Sequence, residues 1–366
     1  MSKPYKLYGA EFSLYSGKAR SYLRKKGIKF EEVVSSLKVY KNFIVPRTGV
    51  KYIPVVQTPD DEVLQDTTTI IDHIEKSHPK PSIYPDTPVQ RLIALLLELY
   101  GDEWLLIPAM HYRWHYREEN YRFIIGEFGK MLLPGWPGFI QRFIGKKVGS
   151  RFDGAVPKLG VSDRNRQAIE ASYEALLADL QNHFEIHDYL LGSKPCIADF
   201  GFIAPFYAHL YRDPYPGEMM RRTAPAVASW VERMVDETVI DGEFLTDDKI
   251  PETLLPVLKR MAAEQIPVLL DTDKQLTSWR KENLESEIPR FIGEHTFEVN
   301  GVSGQRVILP YSLWMFQRPL DYFQSLEGGE REAAKSLLQQ TGFGEGLEVG
   351  LNSRLKRKDN MLIFER

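Results

Sequence analysis

Along the N-terminal part of the chain, apolar positions switch repeatedly between the two-residue period of a strand and the helical period of about 3.6. Residues 6–10 (Lys-Leu-Tyr-Gly-Ala) predict a short strand. Residues 16–26 predict a helix with Ala19, Tyr22 and Leu23 on one face and Gly27 as its stop. Residues 28–34 read as a second strand. Residues 53–56 and 62–64 predict a hairpin turned by Pro59-Asp60-Asp61. Residues 67–77 predict a helix with Ile70, Ile71 and Ile74 facing inward.

Pro79, Pro81, Pro85 and Pro88 then punctuate the chain and predict a domain boundary. Beyond them the pattern turns helical. Residues 90–121 read as one long aromatic helix, and 163–187 as a second with Ala171, Leu176, Leu177 and Leu180 as its stripe. Residues 197–210 are almost wholly apolar, which predicts a central buried helix, and 225–235 predict another. Between them, 131–159 reads as a solvated loop, with a cover over a pocket or a membrane-surface loop as the other readings. In 238–366, residues 251–279, 312–326 and 330–340 predict helices. Residues 296–299 and 306–309 predict a hairpin about Asn300-Gly301. The run Arg354, Lys356, Arg357, Lys358 reads as a solvated terminus. The glycines at 342, 344, 346 and 350 follow no strand, so they predict no nucleotide site. The expected division is 1–83, 84–237 and 238–366.

Composition narrows the classes. The 366 residues carry 47 Lys and Arg against 50 Asp and Glu, a net charge of −3. That balance argues against an electrostatic nucleic-acid binder. The N-terminal residues form no apolar signal core, and no run approaches the ~18 apolar residues of a membrane span, so a cytoplasmic protein is expected. The single cysteine, Cys196, excludes an internal disulfide and a cysteine zinc cluster.

Four short segments carry more specific information. They are Ser13-Leu14-Tyr15-Ser16-Gly17-Lys18-Ala19-Arg20, Tyr52-Ile53-Pro54-Val55-Val56, Gln65-Asp66-Thr67, and Tyr189-Leu190-Leu191-Gly192 followed by Cys196-Ile197-Ala198-Asp199-Phe200. In order and spacing they resemble the glutathione transferase superfamily, in its serine-type branches, over about residues 1–237. The resemblance implies an α/β thioredoxin-like domain, then an all-α domain, with 238–366 as an α+β extension of unassigned role. Three residues depart from the family pattern. Leu14 stands where many relatives carry Pro, Asp66 stands for Glu or Gln, and Cys196 stands for a Ser or Thr cap.

Glutathione must be held as its thiolate to act as a nucleophile, and the free thiol has a pKa of about 8.5. Lowering that by ~2 units corresponds to about 2.7 kcal/mol. A charge-assisted hydrogen bond beside a helix N-terminus supplies that order. Ser13 lies between the first strand and the first helix, where the resemblance places the catalytic hydroxyl. Ser16 is the alternative hydroxyl. A serine rather than a cysteine argues against thiol–disulfide chemistry. The resemblance further implies that Ile53, before a cis Pro54, pairs its backbone with the cysteinyl unit. Asp66 would take the γ-glutamyl ammonium and Thr67 its carboxylate. The glycine carboxylate needs a cation, for which Arg47 is preferred over Lys41 and Lys51 because a guanidinium binds bidentately.

The second substrate's pocket is expected on the first helices of the all-α domain, at His111, Tyr112 and His115. His111, His115 and Glu119 share a helical face, but three ligands on one helix cannot surround a metal, so no metal site is expected. Asp199 reads as the last residue of a capping box begun by Cys196, which reads as a buried structural thiol. The implied protein is a homodimeric detoxification transferase that uses glutathione as co-substrate against a small electrophile. The alternatives are a glutathione-dependent lyase, dehalogenase or isomerase on the same site, and a non-catalytic binding or scaffold protein of the same fold.

Overall fold

Ala19, Tyr22 and Leu23, the face read from the sequence, are fully buried in the first helix, and basic Arg24 and Lys25 close its last turn. The computed structural model describes residues 3–284, 287–344, 346–348 and 350–365. From the N-terminus the elements are β1 (Tyr5–Gly9), α1 (Leu14–Lys25), β2 (Phe30–Val34), α2 (Leu37–Val39), α3 (Val45–Thr48), β3 (Val55–Gln57), β4 (Val63–Gln65) and α4 (Thr67–Ser77). Then come α5 (Pro88–Leu99), α6 (Leu106–His115), α7 (Arg117–Leu132), α8 (Gly138–Asp153), α9 (Arg166–Phe184), α10 (Ile197–Pro205), α11 (Pro214–Thr223) and α12 (Pro225–Val235). The last stretch holds α13 (Leu255–Glu264), α14 (Ile266–Glu282), β5 (Glu294–Val299), β6 (Val302–Val307), α15 (Pro310–Ser325), α16 (Gly328–Gln340), β7 (Leu355–Lys358) and β8 (Met361–Phe364).

The chain forms two compact units, and neither is continuous in sequence. One holds the chain up to Ile83 with Ala109–Val156 and Phe202–Asp241. The other holds Tyr84–Pro108, Pro157–Gly201 and the chain from Gly242. The chain changes unit after Ile83 and after Asp241, and the stretch between them is divided between the two.

In the first unit the sheet order is β2-β1-β3-β4, with β1 parallel to β2 and antiparallel to β3, and β3 antiparallel to β4. This is a thioredoxin-like sheet with a helical complement. Tyr8, Ile44 and Val55 form a buried cluster, joined by Val33, Phe43 and Val63. The α4 face predicted at Ile70, Ile71 and Ile74 is fully buried.

The single helix expected over 90–121 is broken. A π-helical turn spans Tyr100–Trp104, and Tyr116 leaves helical geometry at φ −84°, ψ 67°. Buried Asn120 stabilises that break. Its amide donates to the carbonyls of Tyr112 at 2.9 Å and Arg113 at 3.3 Å, which would otherwise lack partners at the end of α6. The loop expected over 131–159 is largely helical, because α8 packs along α7. A Cβ on Gly145 would lie 2.2 Å from the Ile125 carbonyl oxygen, and one on Gly129 would lie 2.3 Å from that of Gln141. The contact is therefore backbone to backbone, and a hydrophobic stripe does not announce it.

In the second unit α5 is buried almost throughout. Its N-terminus is capped by a residue distant in sequence. Asp248 accepts from the N–H groups of Val89 and Gln90, both at 2.8 Å. Gln90 donates in turn to the Leu245 carbonyl at 2.7 Å. Glu98 pairs with Arg318 of α15 at 3.1 Å. Residues beyond 241 are thus built into the packing of this unit. The predicted β5–β6 hairpin is present, with Asn300 and Gly301 at φ 45° and 76°. Instead of a solvated terminus, the basic tail forms the β7–β8 hairpin, and Arg354 pairs with Asp321 at 2.6 Å.

The carboxylate half of the capping box is formed as read from the sequence, and the Cys196 thiol donates to the same carboxylate. Asp199 accepts from Cys196 N–H at 2.9 Å and from Leu190 N–H at 3.1 Å. Burial, with Asp199 beside it, raises the Cys196 thiol well above its ordinary pKa, which keeps it protonated and unreactive.

Candidate functional site

The sheet register decides what meets at the candidate site. Tyr8 of β1 is paired with Val55 of β3, and Val55 with Gln65 of β4. One step beyond that row the chain reaches Pro54 and Asp66, and β1 runs on into the turn that ends at Ser13. Three segments singled out in the sequence thus converge at one end of the sheet, all within the first unit.

Ser13 is the N-cap of α1, with extended backbone at φ −88°, ψ 126°. Its Oγ accepts a long hydrogen bond from Ser16 N–H, 3.4 Å. The acceptor side of the hydroxyl therefore serves the helix, and the hydrogen remains a donor. The side chain is half-buried, beside the N–H groups and the positive potential of the helix N-terminus. Ser16, the alternative hydroxyl, is fully buried. Its Oγ accepts from Ala10 N–H at 3.3 Å and lies against Gly9, where a Cβ would come within 2.9 Å of it. Ser16 holds the turn from beneath and reaches no surface.

Ile53–Pro54 is a cis peptide. Asp66 stands at φ 87°, a conformation that L-residues rarely adopt. Its carboxylate accepts from Thr68 N–H at 3.0 Å and Thr69 N–H at 3.2 Å, capping α4. Thr67, the first helical residue, is almost fully buried. Arg47 is committed elsewhere. Its guanidinium reaches the Asp61 carboxylate at 3.2 Å and donates to the Asp61 carbonyl at 2.7 Å. Hydrogen bonds from Gln57 and from Arg47 hold the Asp61 carboxyl below its ordinary pKa. Lys41 and Lys51 are exposed.

The aromatic candidates divide. His111 and Tyr112 are each 1% exposed, packed inside the helices, whereas His115 is exposed. Tyr112 stacks on Tyr116 at 5.5 Å, and Tyr116 on Tyr215 at 3.6 Å. This cluster is a packed core at the α6–α7 break, rather than the wall of an open pocket. Among the described residues, no group of His, Cys, Asp and Glu is arranged to hold a metal ion.

Two features of the site escaped the sequence reading. Arg113 lies within the aromatic run, and its role could have been sought from a lone guanidinium among apolar neighbours. It forms a bidentate pair with fully buried Asp213, at 2.6 and 2.7 Å, and donates to the Ala208 carbonyl at 2.8 Å. It also donates to the Phe12 carbonyl at 3.2 Å, one residue before Ser13. Burial raises the Asp213 pKa, and Arg113 opposes the shift. The second feature is Glu11, which accepts from the Tyr207 hydroxyl and lies 3.4 Å from Arg20. Burial acts to raise the Glu11 pKa, but Arg20 and the Tyr207 hydrogen bond bring it below the ordinary value. The Tyr207 hydroxyl is pushed up to about 12 by burial and by Glu11. No local pattern announced this pair, whose members lie far apart in sequence.

Residues 7–82 match the family described as "Glutathione S-transferase, N-terminal domain". No curated protein sequence matches the chain. Among solved structures, the chain is similar to the beta-etherase LigF from Sphingobium sp. strain SYK-6. Identity is 17%, 64% of this chain and 95% of that one are covered, and the TM-score is 0.44. A glutathione S-transferase from Rhodospirillum rubrum F11 is 14% identical, with 68% of this chain and 96% of that one covered at a TM-score of 0.41. One from Methylobacterium radiotolerans, in complex with glutathione sulfonate, is 19% identical, with 67% and 99% covered at 0.40. It is residues 7–82, which contain the convergent end of the sheet, that match a glutathione S-transferase N-terminal domain.

Proposed function

We propose that the chain binds glutathione at the N-terminal end of α1, and that the Ser13 hydroxyl stabilises the thiolate for attack on a small electrophile. The observation that carries this reading is the position of Ser13. It is an N-cap whose hydroxyl hydrogen can donate beside a helix N-terminus, at the sheet end that also holds Ile53, Pro54, Asp66 and Thr67. Ile53 would pair with the cysteinyl unit, and the Asp66–Thr67 helix start would receive the γ-glutamyl end. Because Arg47 is paired with Asp61, the glycine carboxylate falls to Lys41 or Lys51, or to Arg47 after exchange of partners. The family resemblance carries the remaining parts of the reading: residues 1–83 as the glutathione domain, a homodimer, and detoxification in the cytoplasm.

The test is a pH titration of the bound thiolate absorbance. The thiol pKa is expected to fall by about 2 units on binding, and Ser13→Ala is expected to restore most of that shift, about 2.7 kcal/mol. The closed packing of His111 and Tyr112 favours one second reading, a glutathione-binding protein without transferase activity. Binding with an unshifted thiol pKa would select it.

A further inference from the structure

The α7–α8 pair leaves one face uncovered. Trp136 in its turn is 55% exposed, and Phe139 and Phe143 on α8 are 69% and 70% exposed. Large aromatics grouped at this level of exposure mark an interaction surface. Phe139, Phe143 and Lys147 fall at successive i, i+4 positions, and Arg142 and Lys146 form the adjacent row. The opposite face, with Gly145 and Gly149, is buried against α7. From Gly138 to Phe152 the chain has four cations and no acid, although the whole protein carries a net charge of −3. Nearby Asp153 is paired with Arg117, and Glu127 with Lys130 and Arg212.

We propose that this face docks onto an anionic lipid surface, with Trp136, Phe139 and Phe143 among the headgroups and Arg142, Lys146 and Lys147 over the phosphates. Charge selects the occupant. A second copy meeting this face through a two-fold axis would set the same unpaired cations against each other. Anionic headgroups satisfy those cations, and aromatic side chains settle where one end is apolar and the other wet. A helix of 16 residues is too short to span a bilayer, so α8 would lie in the plane of the surface. The inference does not depend on the glutathione reading.

The test uses the full chain in co-sedimentation with phosphatidylserine–phosphatidylcholine vesicles and with pure phosphatidylcholine vesicles. Two variants accompany it, Phe139→Ser/Phe143→Ser and Lys146→Glu/Lys147→Glu. All four positions are exposed, and thermal unfolding checks that both variants fold. Sedimentation with the anionic vesicles only is expected, weakened about tenfold or more by either variant and suppressed by salt. Absence of binding, or binding that neither variant changes, would overturn the proposal. So would a phenylalanine variant that dissociates an oligomer without affecting vesicles, or binding to duplex nucleic acid in their place.

Discussion

Replacing Arg113 with methionine is expected to destabilise the protein by about 3–5 kcal/mol, the range for removing one partner of a buried ion pair. The variant leaves the fully buried Asp213 carboxylate without its cation, and the Ala208 and Phe12 carbonyls without their donor. The double variant Arg113→Met/Asp213→Leu should recover much of the loss, because no charge then remains buried. Urea titrations of the parent, Arg113→Met, Asp213→Leu and the double variant give the coupling energy directly. A double variant no more stable than the single one would show that the pair is not the cause. The sign of the pH dependence follows from the carboxyl. Without Arg113, only the smaller influence of Arg212 opposes the burial that already raises the Asp213 pKa. Protonation then relieves the unpaired charge, and the cost of Arg113→Met shrinks as pH falls. Since the same guanidinium holds the Phe12 carbonyl, the variant should also weaken glutathione binding more than its exposed neighbour His115→Ala does.

Glu264→Leu is expected to be nearly as severe. The Glu264 carboxylate accepts from Trp104 Nε1 at 3.0 Å, Ser172 Oγ at 2.8 Å and Asn300 N–H at 3.2 Å. It joins three segments of the second unit: the turn after α5, helix α9 and the tip of the β5–β6 hairpin. A leucine fills the space and strips three donors of their acceptor, at about 1–3 kcal/mol for each group left buried and unsatisfied. A loss of about 3–5 kcal/mol in urea unfolding is expected, accompanied by changed near-ultraviolet circular dichroism from Trp104. A loss within the ordinary surface range would refute the hub. Burial raises the Glu264 pKa above its ordinary value. The folded state therefore binds this proton more tightly than the unfolded chain. Its contribution is fully present below the ordinary carboxylate pKa and falls as pH rises through the folded value. Glu264→Gln, which does not titrate, should lack that decline, so its cost relative to the parent should shrink toward neutral pH.

The parts of the molecule that were legible in the sequence are those fixed by near neighbours. The Ala19–Tyr22–Leu23 face, the Asn300-Gly301 hairpin and the Asp199 cap each follow from a few consecutive residues. The resemblance over residues 7–82 was legible for the same reason, since it rests on short segments. What could not be read depends on partners brought in from afar. Nothing near Arg47 forecasts its capture by Asp61, and nothing near Ser16 forecasts its burial under the turn. Helix α8 was hidden because glycines, rather than an apolar stripe, form its contact with α7. The aromatic helix was read as continuous because its break is set by Asn120 and by stacking on Tyr215. His111 and Tyr112 are buried for that reason, since residues that close a helical break pack against each other.

The cap on α5 has a consequence for synthesis. Asp248 lies more than 150 residues beyond the Val89 and Gln90 amides that it satisfies, and Arg318 emerges later still than its partner Glu98. While the ribosome is still delivering the intervening chain, the apolar run Leu92–Leu97 has left the exit tunnel without its neighbours. Such exposed segments are the ones that aggregate before their contacts exist. The second unit should therefore acquire its native packing late, after release of α15, and chaperone binding during translation should be concentrated on α5.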